Sequence, residues 1–341
     1  MGPKTISGAR FDYNDAIVRS FDHQMLLNLV RMRYQDSILF LDLSSVVASY
    51  HREAKANISP SGAFKPPTGA WGALGEGLWS ESPTISYVPL QGEDFAKRML
   101  APIQPSAILL LSRSGWGLER LLLCTVQQIN ELPNGTAVGG VAPMRVRHFE
   151  RFRRVANILR ELQEEGYIQL NNLSEQPDSV ALTLGPIPPD ERGEQLAREA
   201  ISLLGIAGRA GAPIEVETSG FPRSPARMTM VGRSFLGVMS FLAQHVDVPD
   251  EHLKKNWAHQ TRGADDKPFD WSLISGTLFH VRSGKSKPEQ AYASVEYRGY
   301  WFWIDDGDIE SKRTYTLLSQ LFSLQAASGG VQAPVLTIPA R

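Results

Sequence analysis

Residues 46–58 have the sequence VVASYHREAKANI, and residues 71–88 have the sequence WGALGEGLWSESPTISYV. In both stretches small or apolar residues recur at every second position, which is the period of a β-strand. Residues 59–70 between them are rich in Gly, Pro and Ser, the residues that favour turns and loops. The two stretches therefore predict a long β-hairpin, and no other part of the sequence carries so specific a pattern.

The predicted hairpin has three interpretations. Its apolar face, which only Arg52 interrupts, can rest on the protein core as in an ordinary antiparallel hairpin. Its strands can instead pair with a neighbouring subunit, which would cover their unpaired edges. They can also contact a membrane, where alternating strands are bracketed by aromatic residues. The candidate residues for subunit or membrane contact are Val46, Ala48, Tyr50, Ala54, Ala56, Ile58, Trp71, Leu74, Leu78 and Trp79.

The composition is that of an ordinary folded protein. A chain of 341 residues, of which 42% are hydrophobic and 21% charged, can form one large or two medium domains. Its 35 basic and 36 acidic residues nearly cancel, so the chain lacks the overall positive charge that attracts nucleic acid or anionic lipid. The single cysteine, Cys124, lies in an apolar run and is predicted to be a buried thiol, which leaves neither an intramolecular disulfide nor a cysteine-based metal site.

Apolar periodicity predicts an α+β fold, with antiparallel hairpins near both ends packed with amphipathic helices and a helical middle region. Near the C-terminus the predicted strands are residues 273–282 and 292–304, and in the middle a small hairpin joins 167–170 to 180–184. The predicted helices cover residues 14–34, 91–100, 118–132, 149–166, 190–205, 233–245 and 308–325.

The Gly-, Pro- and Ala-rich segment 133–148 is predicted to be a linker between domains. Before it, residues 1–132 contain the first helix, the long hairpin and a pair of helices. After it, residues 149–250 form a helical region with the small hairpin. Residues 251–341 form a C-terminal unit of hairpin, helix and strand.

Arginines are concentrated between residues 145 and 160, just before the small hairpin. A helix followed by a hairpin is the order found in a winged helix, in which the helix contacts DNA and the hairpin contacts phosphate. Glutamates are interleaved with these arginines, and a solvated helix face has the same pattern. DNA binding is therefore an alternative function, with a nucleic-acid face formed by Arg147, Arg151 and Arg154.

The acidic cluster Asp305–Glu310 surrounds a glycine between a predicted strand and a predicted helix. Carboxylate oxygens on a tight turn suit calcium or magnesium, so the cluster supports a second alternative, a metal-dependent enzyme. Its position at a helix start favours a capping role instead, and no residue is assigned as a metal ligand.

The sequence contains no recognisable catalytic or cofactor motif. Gly284-Lys285-Ser286 resembles the end of a phosphate-binding loop, but Phe279 occupies the position of the motif's first glycine. His245, His252 and His259 recur at intervals of seven without a metal-binding motif, and they are predicted to be solvated. We therefore predict no cofactor and identify no small-molecule substrate.

Four segments, residues 13–17, 26–34, 83–90 and 300–306, resemble uncharacterised bacterial proteins that often carry a lipoprotein-type leader. The resemblance brings no activity or catalytic residues. It implies the bacterial envelope, on the periplasmic side, rather than the cytoplasm if a leader was removed. The sequence as a whole predicts a non-enzymatic structural protein that forms a homo-oligomer and uses the 46–88 hairpin for subunit or membrane contact.

Overall fold

The computed structural model describes residues 3–54, 77–135, 146–172, 180–184, 190–218, 226–263, 267–275 and 278–326. These residues form an α+β protein, as the sequence predicts. One compact unit contains the described residues up to Ile38 and from Gln91 onward, and a second contains those between Leu39 and Leu90. The domain boundaries predicted from the sequence lie at 133–148 and at 250.

The helices follow the apolar periodicity of the sequence, and several have the expected end signals. In α6, for example, the Asp190 carboxylate accepts a hydrogen bond from the backbone N–H of Gly193 at 2.9 Å, and Gly205 ends the helix with a φ of 64°. Among the described helices, none is both long enough and apolar enough to cross a membrane. The helices are α1 (Pro3–Arg33), α2 (Glu93–Leu100), α3 (Pro105–Arg113), α4 (Leu118–Thr125), α5 (Val146–Glu164), α6 (Glu191–Leu204), α7 (Phe235–Ala243), α8 (Asp250–Lys254), α9 (Ser272–Ser275) and α10 (Ile309–Ala326).

The described strands form three sheets. A two-stranded sheet pairs β1 with β2, a three-stranded sheet has the order β10-β11-β9, and a six-stranded sheet has the order β4-β3-β8-β7-β6-β5. All neighbours are antiparallel except β7 and β8. The strands are β1 (Phe40–Ala54), β2 (Gly77–Leu90), β3 (Val126–Ile129), β4 (Leu132–Pro133), β5 (Ile168–Asn172), β6 (Val180–Leu184), β7 (Pro213–Glu217), β8 (Met228–Gly232), β9 (Arg282–Gly284), β10 (Ala291–Tyr297) and β11 (Tyr300–Asp305).

The predicted helix 118–132 is wrong beyond Thr125. Residues 126–129 form strand β3, whose residues pair with β8 and β4 in the six-stranded sheet. A short apolar run is compatible with either a helix or a buried strand, and here the sheet partners decide the outcome. Because β3 pairs with β8, which follows residues 136–145, the six-stranded sheet includes strands from both sides of the predicted linker.

The C-terminal hairpin turns at a different place from the predicted one. Residues 292–304 form two strands, β10 and β11, joined by Arg298 and Gly299 with φ values of 51° and 80°. Two central residues with positive φ are typical of a tight two-residue hairpin turn. The predicted strand 273–282 is replaced by the short helix α9 and the start of β9.

Helix α7 lies in the core of the larger unit. An apolar helix without a polar face is buried on all sides, and α7 is contacted by α1, α2, α4 and α10. Its fully buried side chains are Phe235, Val238, Met239, Phe241 and Leu242. The polar segment that follows α7 is therefore held against this core, and it forms one wall of the cleft described below.

Candidate functional site

The β1–β2 sheet confirms the predicted long hairpin at the level of the backbone. Its register runs without interruption from the pair Ala54–Gly77 to the pair Ser45–Ser86, and a bulge between Leu43 and Ser45 shifts the remaining pairs. Of the candidate contact residues, the structure places Val46, Ala48, Tyr50 and Ala54 in β1 and Leu78 and Trp79 in β2. The candidates that lie outside the described residues are Ala56, Ile58, Trp71 and Leu74.

Each strand of the hairpin is hydrogen-bonded to a described strand on one side only. Within the described part of the chain, β1 pairs with β2 alone and β2 with β1 alone. In such a two-stranded sheet about half of the backbone N–H and C=O groups point away from the partner strand. The hairpin therefore has two long edges that no other described strand covers.

Of the arginines proposed for the alternative DNA-binding face, Arg154 is paired with an acidic side chain. The guanidinium of Arg154 donates from Nε and Nη2 to the Glu199 carboxylate of α6 at 2.7 and 2.8 Å. Arg160 forms ion pairs with two carboxylates, from Nε to Glu119 at 3.1 Å and from Nη1 to Glu164 at 2.8 Å. Arg151 is exposed, and the side chain of Arg147 lies outside the described residues.

The small hairpin after α5 does not form a separate wing. Its strand β6 pairs with β7, and β7 pairs with β8, so that β5 and β6 form one end of the six-stranded sheet. Helix α5 turns its apolar side inward, with Phe149, Phe152 and Val155 buried. The geometry therefore gives no support to the winged-helix interpretation.

The carboxylates of the acidic cluster serve as caps and ion-pair partners. Asp308 accepts hydrogen bonds from the backbone N–H and the hydroxyl of Ser311 at 3.0 and 2.6 Å, which caps the start of α10. Within the described residues, no group of three or more His, Cys, Asp or Glu side chains is arranged to hold a metal ion. The other carboxylates are paired as follows: Asp305 with Arg282, Asp306 with Lys312, and Glu310 with Arg120 and Arg313.

The larger unit also contains a cleft of about 550 Å³ that the sequence analysis did not predict. It is formed where the residues that follow α7, residues 260–261, residues 268–271 and residues 279–280 come together. We call it the histidine cleft, and define it by Gln244, His245, Asp247, Thr261, Trp271 and His280. Its volume lies within the range of small-molecule sites.

Backbone hydrogen bonds position Asp247 and His280 of the histidine cleft. The N–H of Asp247 donates to the Val281 carbonyl at 2.9 Å, and the N–H of Val281 donates to the His245 carbonyl at 3.0 Å. This pairing brings His280 Nε2 to 3.0 Å from Asp247 Oδ2. The hydrogen bond to the Asp247 carboxylate raises the pKa of His280 above its ordinary value of 6.5.

The second histidine of the cleft is buried and electrically neutral. Desolvation lowers the pKa of His245 to about 3, so its imidazole stays uncharged at neutral pH. Its ring lies edge-on to Phe241 and to Trp271, with centroid distances of 5.5 and 6.3 Å. His245 and His280 thus have opposite protonation behaviour within one cleft.

Two uncharged polar groups of the cleft have unused hydrogen-bonding capacity. Thr261 is 2% exposed, and its hydroxyl has no hydrogen-bond partner among the described residues. The Gln244 side-chain oxygen Oε1 is likewise buried without a partner in the part of the chain that the structure describes. Leaving a buried polar atom unpaired costs free energy, so both atoms lower the stability of this wall of the cleft.

No family model, no curated protein and no solved structure matches this chain. The resemblance to uncharacterised bacterial proteins therefore stays a prediction.

The prediction for the three regularly spaced histidines is wrong for two of them. They were predicted to be solvated, but His245 and His252 are buried, and only His259 is exposed. His252 lies in an aromatic cluster, with its Nδ1 2.6 Å from the Tyr34 hydroxyl. Sequence spacing could not separate these environments, because the partner residue Tyr34 lies more than two hundred positions away.

The His280–Asp247 pair gives a pH-dependent prediction. Replacing Asp247 with Asn should lower the pKa of His280 toward 6.5, because the raising carboxylate is lost. In the unmodified protein the pair should stabilise the native state fully below about pH 6.5 and progressively less as the pH rises through the folded pKa of His280. A histidine NMR titration measures the change, and Asp94→Asn, an exposed carboxylate of α2, is the control. An unchanged His280 titration in Asp247→Asn would contradict the pairing.

Proposed function

We propose that the protein is a structural homo-oligomer that assembles through its β1–β2 hairpin. The observation that carries this proposal is the pairing of two strands of 15 and 14 residues in a sheet that no other described strand joins. Most strands in globular proteins are shorter, and an isolated two-stranded sheet is only marginally stable in water. A hairpin of this length therefore gains most from a third and fourth strand.

A second copy of the chain is the occupant that suits these edges best. Two identical hairpins related by a twofold axis can join edge to edge into a four-stranded antiparallel sheet, in which each copy contributes the same residues. The near-zero net charge of the chain also keeps the electrostatic repulsion between copies small. Envelope location and lipid contact are not required by this mechanism.

Lysine substitutions in the hairpin test the proposal while leaving the hairpin in place. The variant Ser45→Lys/Ser49→Lys should weaken self-association by about tenfold or more, because like charges meet across a shared edge. Ser202→Lys/Ser323→Lys, at exposed positions of α6 and α10, adds the same charge outside the hairpin and should associate normally. Sedimentation velocity over a concentration series compares the two. Equal association of both variants would contradict assembly through the hairpin.

A further inference from the structure

The two strands of the hairpin differ in their proline content. Strand β2 contains Pro83 and Pro89, whereas β1 contains no proline between Phe40 and Ala54. Proline has no backbone N–H, so in a sheet it is accommodated where its nitrogen faces a free edge. An even number of positions separates Pro83 from Pro89, so both nitrogens face the same edge. The free edge of β2 therefore lacks two hydrogen-bond donors.

The register identifies the residues that face the free edge of β1. Two residues that lie opposite each other in an antiparallel pair either exchange both hydrogen bonds or direct their N–H and C=O groups away from each other. Ala48 lies opposite Pro83, so it faces outward as Pro83 does. In the uninterrupted stretch from Ser45 to Ala54, the outward residues are Val46, Ala48, Tyr50, Arg52 and Ala54. Each of them has a backbone N–H, and the donors of this edge are complete.

The Pro83 position weakens the β2 edge where a second copy would pair with it. Pro83 lies at the centre of β2, which runs from Gly77 to Leu90. A twofold axis repeats every feature of an edge on both copies, so pairing of β2 with its own copy around this centre would lack the Pro83 donor twice. Proline in an edge strand opposes edge-to-edge association. The β1 edge is therefore the better template for a further strand.

The charges of β1 are compatible with pairing to a second copy of itself. Apart from His51, the stretch from Ser45 to Ala54 has one basic and one acidic residue, Arg52 and Glu53, near one end. In an antiparallel pair centred on the middle of this stretch, residues 49–50, both lie opposite residues 45–48, which are uncharged. Like charges directly opposite each other destabilise a sheet, and this arrangement avoids them. The edge is thus complementary to itself in hydrogen bonds and in charge.

We propose that the second copy binds along the free edge of β1, so that the shared four-stranded sheet has the order β2-β1-β1-β2. This inference rests on the proposed assembly through the hairpin and specifies the strand that forms the contact. The two β2 strands become the outer edges of the shared sheet, where their prolines oppose the addition of further copies. The assembly is therefore a closed dimer rather than a fibre.

Proline substitutions at opposite positions of the two strands test this assignment. Val46 lies opposite Ile85, and Tyr50 lies opposite Glu81. All four face the free edge of their strand, so proline at any of them leaves the hydrogen bonds between β1 and β2 in place. Val46→Pro and Tyr50→Pro should each weaken self-association by about tenfold or more, because twofold symmetry removes the donor from both copies. Ile85→Pro and Glu81→Pro are the matched controls and should associate as the unmodified chain does.

Sedimentation velocity over a concentration series measures the association of each variant, and circular dichroism checks that it is folded. A dimeric unmodified chain, with weaker association in the two β1 variants only, is the expected result. Weaker association in the β2 variants only, an equal loss in all four variants, or no loss in any of them would overturn the assignment to β1 while leaving assembly through the hairpin intact. An unmodified chain that is monomeric at every concentration would overturn both.

Discussion

Replacing Arg233 with Met is expected to destabilise the native state by roughly 3–5 kcal/mol, an effect as large as breaking a buried ion pair. Arg233 is 4% exposed, and its guanidinium is surrounded by backbone carbonyls rather than by a carboxylate. Nη1 donates to the carbonyls of Leu123, Cys124 and Val126 at 2.9, 3.1 and 2.8 Å, and Nη2 donates to Gly135 at 3.0 Å and also to Asn134.

The carbonyls of Leu123, Cys124 and Val126 lie where α4 ends and β3 begins, and those of Asn134 and Gly135 follow β4. The last carbonyls of a helix have no intrahelical partner and carry the negative end of the helix dipole. Arg233 satisfies them with a positive charge, although burial lowers the pKa of its side chain to about 10. Methionine would fill the space and leave several of these acceptors unpaired, each at a cost of about 1–3 kcal/mol.

Urea denaturation followed by circular dichroism measures the effect. Arg233→Lys should be intermediate, because an ammonium has fewer donors and lacks the planar fork of a guanidinium. Arg153→Met, on the exposed face of α5, is the control and should change the unfolding free energy by no more than about 0.5 kcal/mol. If Arg233→Met proved as stable as this control, the carbonyls would have to be satisfied in another way.

Shortening the hairpin should abolish self-association. In the variant, residues 47–84 are removed and Val46 is joined to Ile85 through Asn-Gly, which favours a tight two-residue hairpin turn. Val46 and Ile85 are partners in the register, so the base of the hairpin is retained. The long edges on which a second copy could pair are lost, and the chain is expected to be monomeric.

The shortened variant should otherwise keep its fold. The described residues outside 39–90 form a compact unit of their own, so we expect the helical circular dichroism signal and the thermal midpoint of that unit to be retained. A second shortened chain, in which two alanines replace the Asn-Gly of the new turn, is the control for turn geometry. Persistence of the oligomer in a correctly folded shortened chain would contradict assembly through β1 and β2.

The parts of the fold that could be predicted are those governed by local pattern. The long hairpin follows from strict alternation, and α6 and α10 follow from apolar periodicity with polar caps at Asp190 and Asp308. These signals lie within one element, so they need no knowledge of tertiary partners.

The parts that could not be predicted depend on distant residues. Residues 126–129 continue an apolar helix in sequence, yet they form β3 because β8, about a hundred positions later, supplies its partner. The turn at Arg298–Gly299 was missed because Arg seldom adopts a positive φ. The histidine cleft combines residues from α1, from the segment after α7, and from residues 260–261, 268–271 and 279–280, and no spacing rule connects them.

The most direct test of the central claim is the mass of the unmodified chain in solution. Sedimentation equilibrium, run over a range of concentrations with and without a mild detergent, should give a dimer or larger oligomer in both conditions, while the shortened variant stays at the mass of one chain. A monomer at every concentration would contradict assembly through the hairpin. So would a chain that is monomeric in buffer and becomes heavier only by the mass of bound detergent, which would indicate membrane contact instead.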